Sequence, residues 1–102
     1  SKKKSKKDDG TLVIDLHADE VLETTAGMNS ADILHYQMDI FKKTMEEYKK
    51  KKGQKIIFIH GKGEGVLRQT LIHELNYRYK SCTYQDASFQ EYGYGATQVT
   101  IK

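Results

Sequence analysis

The sequence predicts an α/β fold of order β-α-β-α-β-β: one four-stranded mixed sheet with two main helices, an α+β sandwich. Two apolar strand-like runs, Thr11–His17 and Lys55–His60, flank a long segment with helical spacing. A second helical segment follows, and the chain then closes with two alternating segments around a glycine-containing turn. A helical crossover between the first two strands implies that they run parallel.

Each element has its own signature. In Thr11–His17, Leu12, Ile14 and Leu16 share one face, and Val13, Asp15 and His17 the other. Residues 18–28 show no clean period and read as an irregular connection with one helical turn at most. Asn29-Ser30 then offers an N-cap. From Ala31 to Lys52 the apolar positions Leu34, Met38, Phe41, Met45 and Tyr48 recur every three or four residues, which predicts an amphipathic helix. Gly53 stands where a left-handed C-terminal residue belongs, and Lys49–Lys52 carry the charge that complements the helix dipole. Lys55–His60 is apolar on both faces, as in a strand covered on both sides or central in a sheet. The second helix runs from about Val66 to Tyr79, with Leu67, Leu71, Leu75 and Tyr79 as its core stripe. Cys82–Ser88 and Ala96–Lys102 alternate like strands around the turn Phe89–Gly95, predicting an antiparallel hairpin.

With 102 residues the chain suffices for one small core and not for two. Its net charge of +3 resides in residues 1–10, SKKKSKKDDG, where five Lys face two Asp; residues 11–102 are balanced. Residues 1–10 therefore read as a flexible basic tail or linker, and residues 11–102 as the folded domain. The longest aliphatic or aromatic run is Ile56–Ile59, far short of the roughly 20 residues of a membrane helix. A membrane protein is excluded. The single Cys82 excludes an intrachain disulfide and a thiolate-rich zinc site, and fits a reducing, cytoplasmic location. The chain opens on Ser1 rather than Met, as expected of a processed chain or the end of a longer protein.

Chemistry in a β-α-β unit collects at the carboxyl ends of the strands. Asp15 and His17 end the first strand and His60 the second, so all three fall on one rim beside Gly61-Lys62-Gly63-Glu64-Gly65. Two imidazoles and a carboxylate suit acid–base work on a phosphodiester. A glycine loop entering a helix lets backbone amides approach a phosphate, with Lys62 and Arg68 as supporting cations. The alternative is a tight strand-to-helix turn whose polar side chains hold the rim together. The loop is neither a P-loop nor a dinucleotide fingerprint, being G-x-G-x-G. Asp15, His17 and His60 leave a divalent cation, Mg²⁺ or Mn²⁺, open, and no structural metal is expected. His35 and His73 read as surface positions. Tyr92 and Tyr94, on the last glycine turn, could stack on bases or cap the core edge.

IDLH at 14–17, IHGKGEGVLR at 59–68 and YGYGAT at 92–97 resemble, in order, the three signature segments of the small MutS-related (Smr) domain family: L-D-L-H-G, H-G-x-G-x-G and G-G-x-G-A-T. Ala18 and Tyr92 depart from glycines in the first and third. The resemblance spans residues 12–102. It implies a fold like the C-terminal domain of bacterial translation initiation factor three. It also implies a nucleic-acid partner, a place at the C-terminus of a longer chain, and nicking endonuclease activity on DNA or RNA. Carried over by position, Asp15, His17 and His60 would be catalytic. Gly61, Lys62, Gly63, Glu64, Gly65, Arg68, Tyr94 and Gly95 would contact nucleic acid. The alternative is a non-catalytic module that binds nucleic acid or a ribonucleoprotein.

Overall fold

A computed structural model describes residues 4–7, 9–17, 26–61, 65–87 and 95–102. Among them the strands are β1 (Lys4–Lys6), β2 (Leu12–Asp15), β3 (Lys55–Ile59), β4 (Thr83–Asp86) and β5 (Ala96–Thr100), and the helices are α1 (Ser30–Tyr48) and α2 (Val66–Arg78). The sheet order is β1-β2-β3-β5-β4. β2 and β3 are parallel and adjacent, with Asp15 opposite Ile59, as the helical crossover requires. β5 runs antiparallel to both β3 and β4, which confirms the C-terminal hairpin and seats the last strand inside the sheet. The four expected strands and two helices thus occur in the expected order.

The N-terminal segment departs from expectation. Residues 1–10 read as a flexible tail, yet Lys4–Lys6 adds an antiparallel edge strand to β2, with Lys6 opposite Leu12. The ladder needs only backbone N–H and C=O groups, so a run with nothing apolar can still form it. A turn returns the chain: Lys7 N–H donates to the Thr11 carbonyl at 2.7 Å, and Thr11 N–H to Asp9 Oδ1 at 3.0 Å. Gly10 supplies the left-handed residue at φ +89°. Asp9-Gly10 was the available signal, since Asp-Gly is a favoured hairpin turn.

Both helices pack on one face of the sheet. Leu12, Ile14 and Leu16 join Ile56, Phe58, Val99 and Ile101 under Met38, Phe41, Met45 and Tyr48 of α1 and Leu67, Leu71 and Leu75 of α2. Phe41 meets Phe58 edge to face, with ring centroids 4.9 Å apart. The opposite face carries a smaller cluster of Ile57, Ile59 and Ala96 with Val13 and Ala87. β3 is therefore buried on both sides, which accounts for its lack of alternation.

α1 begins as the sequence suggests. Asn29 Oδ1 accepts from Asp32 N–H at 2.8 Å, and Asp32 Oδ2 accepts from Asn29 N–H, a full capping box. The helix ends at Tyr48 rather than Lys52. The buried stripe stops there, and Lys51 N–H tightens onto the Tyr48 carbonyl at 2.9 Å before Gly53 turns left-handed at φ +89°. The lysines lie beyond the last helical turn. α2 has the expected stripe, closed by buried Tyr79. Half-buried Cys82 precedes β4 as a free thiol whose pKa burial raises. No described helix is long and apolar enough to cross a membrane.

Candidate functional site

Parallel pairing of β2 and β3 delivers Asp15, His17, His60 and Gly61 to one rim. The antiparallel β5 starts there with Gly95, Ala96 and Thr97, and β4 ends there with Asp86 opposite Thr97. The described ends of all three signature segments therefore meet at this edge. Lys62, Gly63, Glu64, Tyr92 and Tyr94, like Ala18, lie outside the described residues.

The rim has two sides. Alternation along β2 puts Asp15 and His17 on the face opposite the helices, since Ile14 and Leu16 point into the helix-covered core. There His17 Nδ1 donates to Asp15 Oδ1 at 2.5 Å, and the His17 backbone N–H donates to the same oxygen at 3.2 Å. Asp15 thereby fixes both the ring and its tautomer. The two side chains remain 22% and 28% exposed, for Asp15 and His17 respectively.

His60 faces the other way, in line with Ile56 and Phe58, and is 9% exposed. Its Nδ1 lies 3.4 Å from the Gly61 carbonyl, an acceptor only, so Nδ1 carries the proton. Nε2 therefore accepts from the buried Thr97 hydroxyl at 3.0 Å. Burial holds the His60 pKa below its ordinary 6.5; the Gly61 carbonyl opposes this, Arg68 adds to it, and Asp86 opposes it. Both nitrogens of His60 are thus engaged, and burial favours its neutral form.

Gly95 locks the two later segments together. Its carbonyl accepts from both His60 N–H and Gly61 N–H, each at 3.1 Å. A Cβ at Gly95 would stand 2.9 Å from the Gly61 oxygen and 3.1 Å from His60 Cε1, so the position is closed to larger residues by contact alone. Gly61, at φ +84°, packs against His17: a Cβ there would lie 3.5 Å from His17 Cβ. The first segment therefore abuts the second directly.

On the helix side, a cleft of about 580 Å³ opens between the N-terminal turns of α1 and α2. It is lined by Ser30, Ala31, Leu34, Gln37, His60, Gly61 and Gly65–Arg68. The two helix ends differ: α1 caps itself, whereas Gly65 offers α2 no side-chain cap and no acid occupies its first turn. Arg68 lies at this end, ion-paired to Asp86 at 3.0 Å.

Sequence reasoning did not single out Thr97's hydroxyl as the partner of His60, the Arg68–Asp86 pair, or Gln37. Gln37 is 8% exposed and donates through Nε2 to the Leu16 carbonyl at 2.9 Å, tying α1 to the end of β2. Its signal was its place in the α1 stripe, three residues after Leu34 and four before Phe41. His35 and His73 lie exposed on the helices. Among the described residues, no three His, Cys, Asp or Glu side chains are placed to hold a metal ion together. Asp15 and His17 bond to each other on one face while His60 is committed on the other. The described residues thus do not fit a divalent ion held by these three.

With this arrangement in view, comparison with protein families is decisive: the sequence model of the Smr domain matches residues 26–102. The chain belongs to the Smr domain family. The match covers both later signature segments and the interlock at Gly95, and begins downstream of Asp15 and His17. Comparisons with curated proteins and with solved structures gave no match.

Proposed function

We propose that this Smr domain binds nucleic acid across the rim and nicks its phosphodiester backbone, with His17 as the proton-transferring residue. The observation that carries this reading is the Asp15–His17 hydrogen bond at a part-exposed strand end, packed against the glycine loop. A carboxylate held by Nδ1–H orients the ring so that Nε2 is the atom assigned to proton exchange. In the step proposed, Nε2 takes a proton from the attacking water as the new O–P bond forms. The P–O bond to the leaving sugar oxygen breaks, and that oxygen receives the proton back from the imidazolium. Either DNA or RNA offers this linkage.

The uncapped N-terminus of α2 and Arg68 support a phosphate at the glycine loop, because helix-end amides and a guanidinium both favour an anion. Gly61 through Gly65, Gly95, Lys62 and Tyr94 keep the contact role that the family resemblance implies. His60 was expected to handle protons. Its burial and paired nitrogens favour a positioning role instead, holding the loop's first residue to β5. No step is routed through a metal ion.

The test is a nicking assay on supercoiled plasmid and structured RNA, with Mg²⁺, Mn²⁺ or EDTA. His17→Ala should reduce cleavage about 10²-fold or more. Cleavage that persists in a contaminant-free His17→Ala, His60→Ala double variant overturns the assignment. Salt-dependent binding with no cleavage by wild type would establish the non-catalytic module instead.

A further inference from the structure

The cleft between the two helix ends is lined by a side chain with one polar atom that the fold itself does not use. Gln37 is 8% exposed. The Leu16 carbonyl can only accept, so the amide nitrogen must face it, and this orients Oε1 away. No described residue donates to that oxygen. Gln37 lines the cleft beside Gly61. The Gln37 oxygen is therefore the acceptor this cleft offers, while its walls carry apolar side chains: Leu34 on α1, and Val66 and Leu67 on α2. Its volume of about 580 Å³ is that of an ordinary small-molecule site, which spans roughly 300–1,000 Å³.

Resting on the nucleic-acid reading above, we propose that this cleft receives one nucleobase carrying an exocyclic amino group, with Gln37 Oε1 accepting from it. A flat heterocycle fits between two apolar helix walls, and its phosphate would extend toward Arg68 and the open end of α2. An amino group projects from the ring and reaches the Gln37 oxygen. The ring N–H of uracil lies between two carbonyl oxygens, which would be brought up against the same Gln37 oxygen. Gln37 thus selects the base beside the phosphate that His17 addresses from the other face of the rim.

Nuclear magnetic resonance of the full chain tests this with AMP, CMP and UMP as probes, following the Gln37 side-chain amide and the Ala31–Leu34 backbone amides. AMP or CMP should shift these signals saturably, with UMP weaker by about fivefold or more. Ala31→Phe fills the cleft from an exposed position on α1, away from the sheet, and should abolish the shifts; its folding is checked in the same spectrum. Gln37→Met, which also removes the bond to Leu16, should erase the preference among bases. Equal binding of UMP and AMP, shifts that persist in Ala31→Phe, or no shift with any nucleotide would overturn the proposal. His17→Ala should retain AMP binding, so loss of the cleavage reading and loss of this one appear in separate measurements.

Discussion

Replacing Gly95 by alanine adds one methyl group where the structure has no room for it. The new Cβ would stand 2.9 Å from the Gly61 carbonyl oxygen, 3.1 Å from His60 Cε1 and 3.3 Å from His60 Nδ1. None of these is the loose end of a flexible chain: one is backbone and two belong to a ring pinned at both nitrogens. Relief requires β5 and the loop to separate, which weakens the two hydrogen bonds that the Gly95 carbonyl accepts. Overpacking costs typically about 1–3 kcal/mol, and each weakened hydrogen bond up to about 0.5–1.5 kcal/mol. A loss of about 2–3 kcal/mol follows, since part of each cost substitutes for the other. For a domain of this size that lowers Tm by roughly 8–24 °C. Urea denaturation measures the loss, and the ring resonances of His60 report whether the strain lands there. Gly27→Ala separates the causes. Gly27 has φ +80° and open space around it, so only backbone conformation is taxed there, at roughly 1–2 kcal/mol. A Gly95→Ala variant within about 0.5 kcal/mol of wild type, with His60 resonances unmoved, would refute the interlock.

Other outcomes follow from the same geometry. Thr97→Val keeps the shape but leaves the buried Nε2 of His60 without a donor, and should cost about 1–3 kcal/mol in urea denaturation. Acidification should destabilise the native state through His60. As pH falls below about 6.5 the unfolded chain takes the proton first, and stability declines until the depressed native pKa is passed. His60→Gln should flatten that part of a Tm-against-pH profile, whatever its effect at neutral pH. Asn29→Ala removes the capping-box acceptor of α1 and should cost about 1 kcal/mol.

The fold was legible wherever burial imposes a period. Leu34, Met38, Phe41, Met45 and Tyr48 announce α1, and the doubly buried Ile56–Ile59 announces a central strand. Termination was less legible, because Lys49–Lys52 are good helix formers and the helix stops where packing, not propensity, runs out. β1 was hidden because backbone pairing leaves no trace in side-chain polarity. At the rim, the meeting of Asp15, His17 and His60 followed from topology, whereas Gly95 was marked only by the motif resemblance. The side on which His60 lies did not: β3 is apolar at both alternating sets of positions, so nothing in Lys55–His60 distinguishes the helix face from its opposite. That orientation separates a part-exposed His17 from a His60 held inside by Thr97.

β5, the last of the described strands, lies between β3 and β4 rather than at an edge. During synthesis, then, β2 and β3 can pair early, but β3 keeps an unpaired side until residues 95–100 emerge. The sheet closes by insertion of its final segment, a long-range event of the kind that slows folding. Those same residues bring the Gly95 carbonyl and the Thr97 hydroxyl that hold Gly61 and His60. A nascent or prematurely truncated chain therefore lacks the assembled rim altogether, and competence at the rim and completion of the fold arrive with the same few residues.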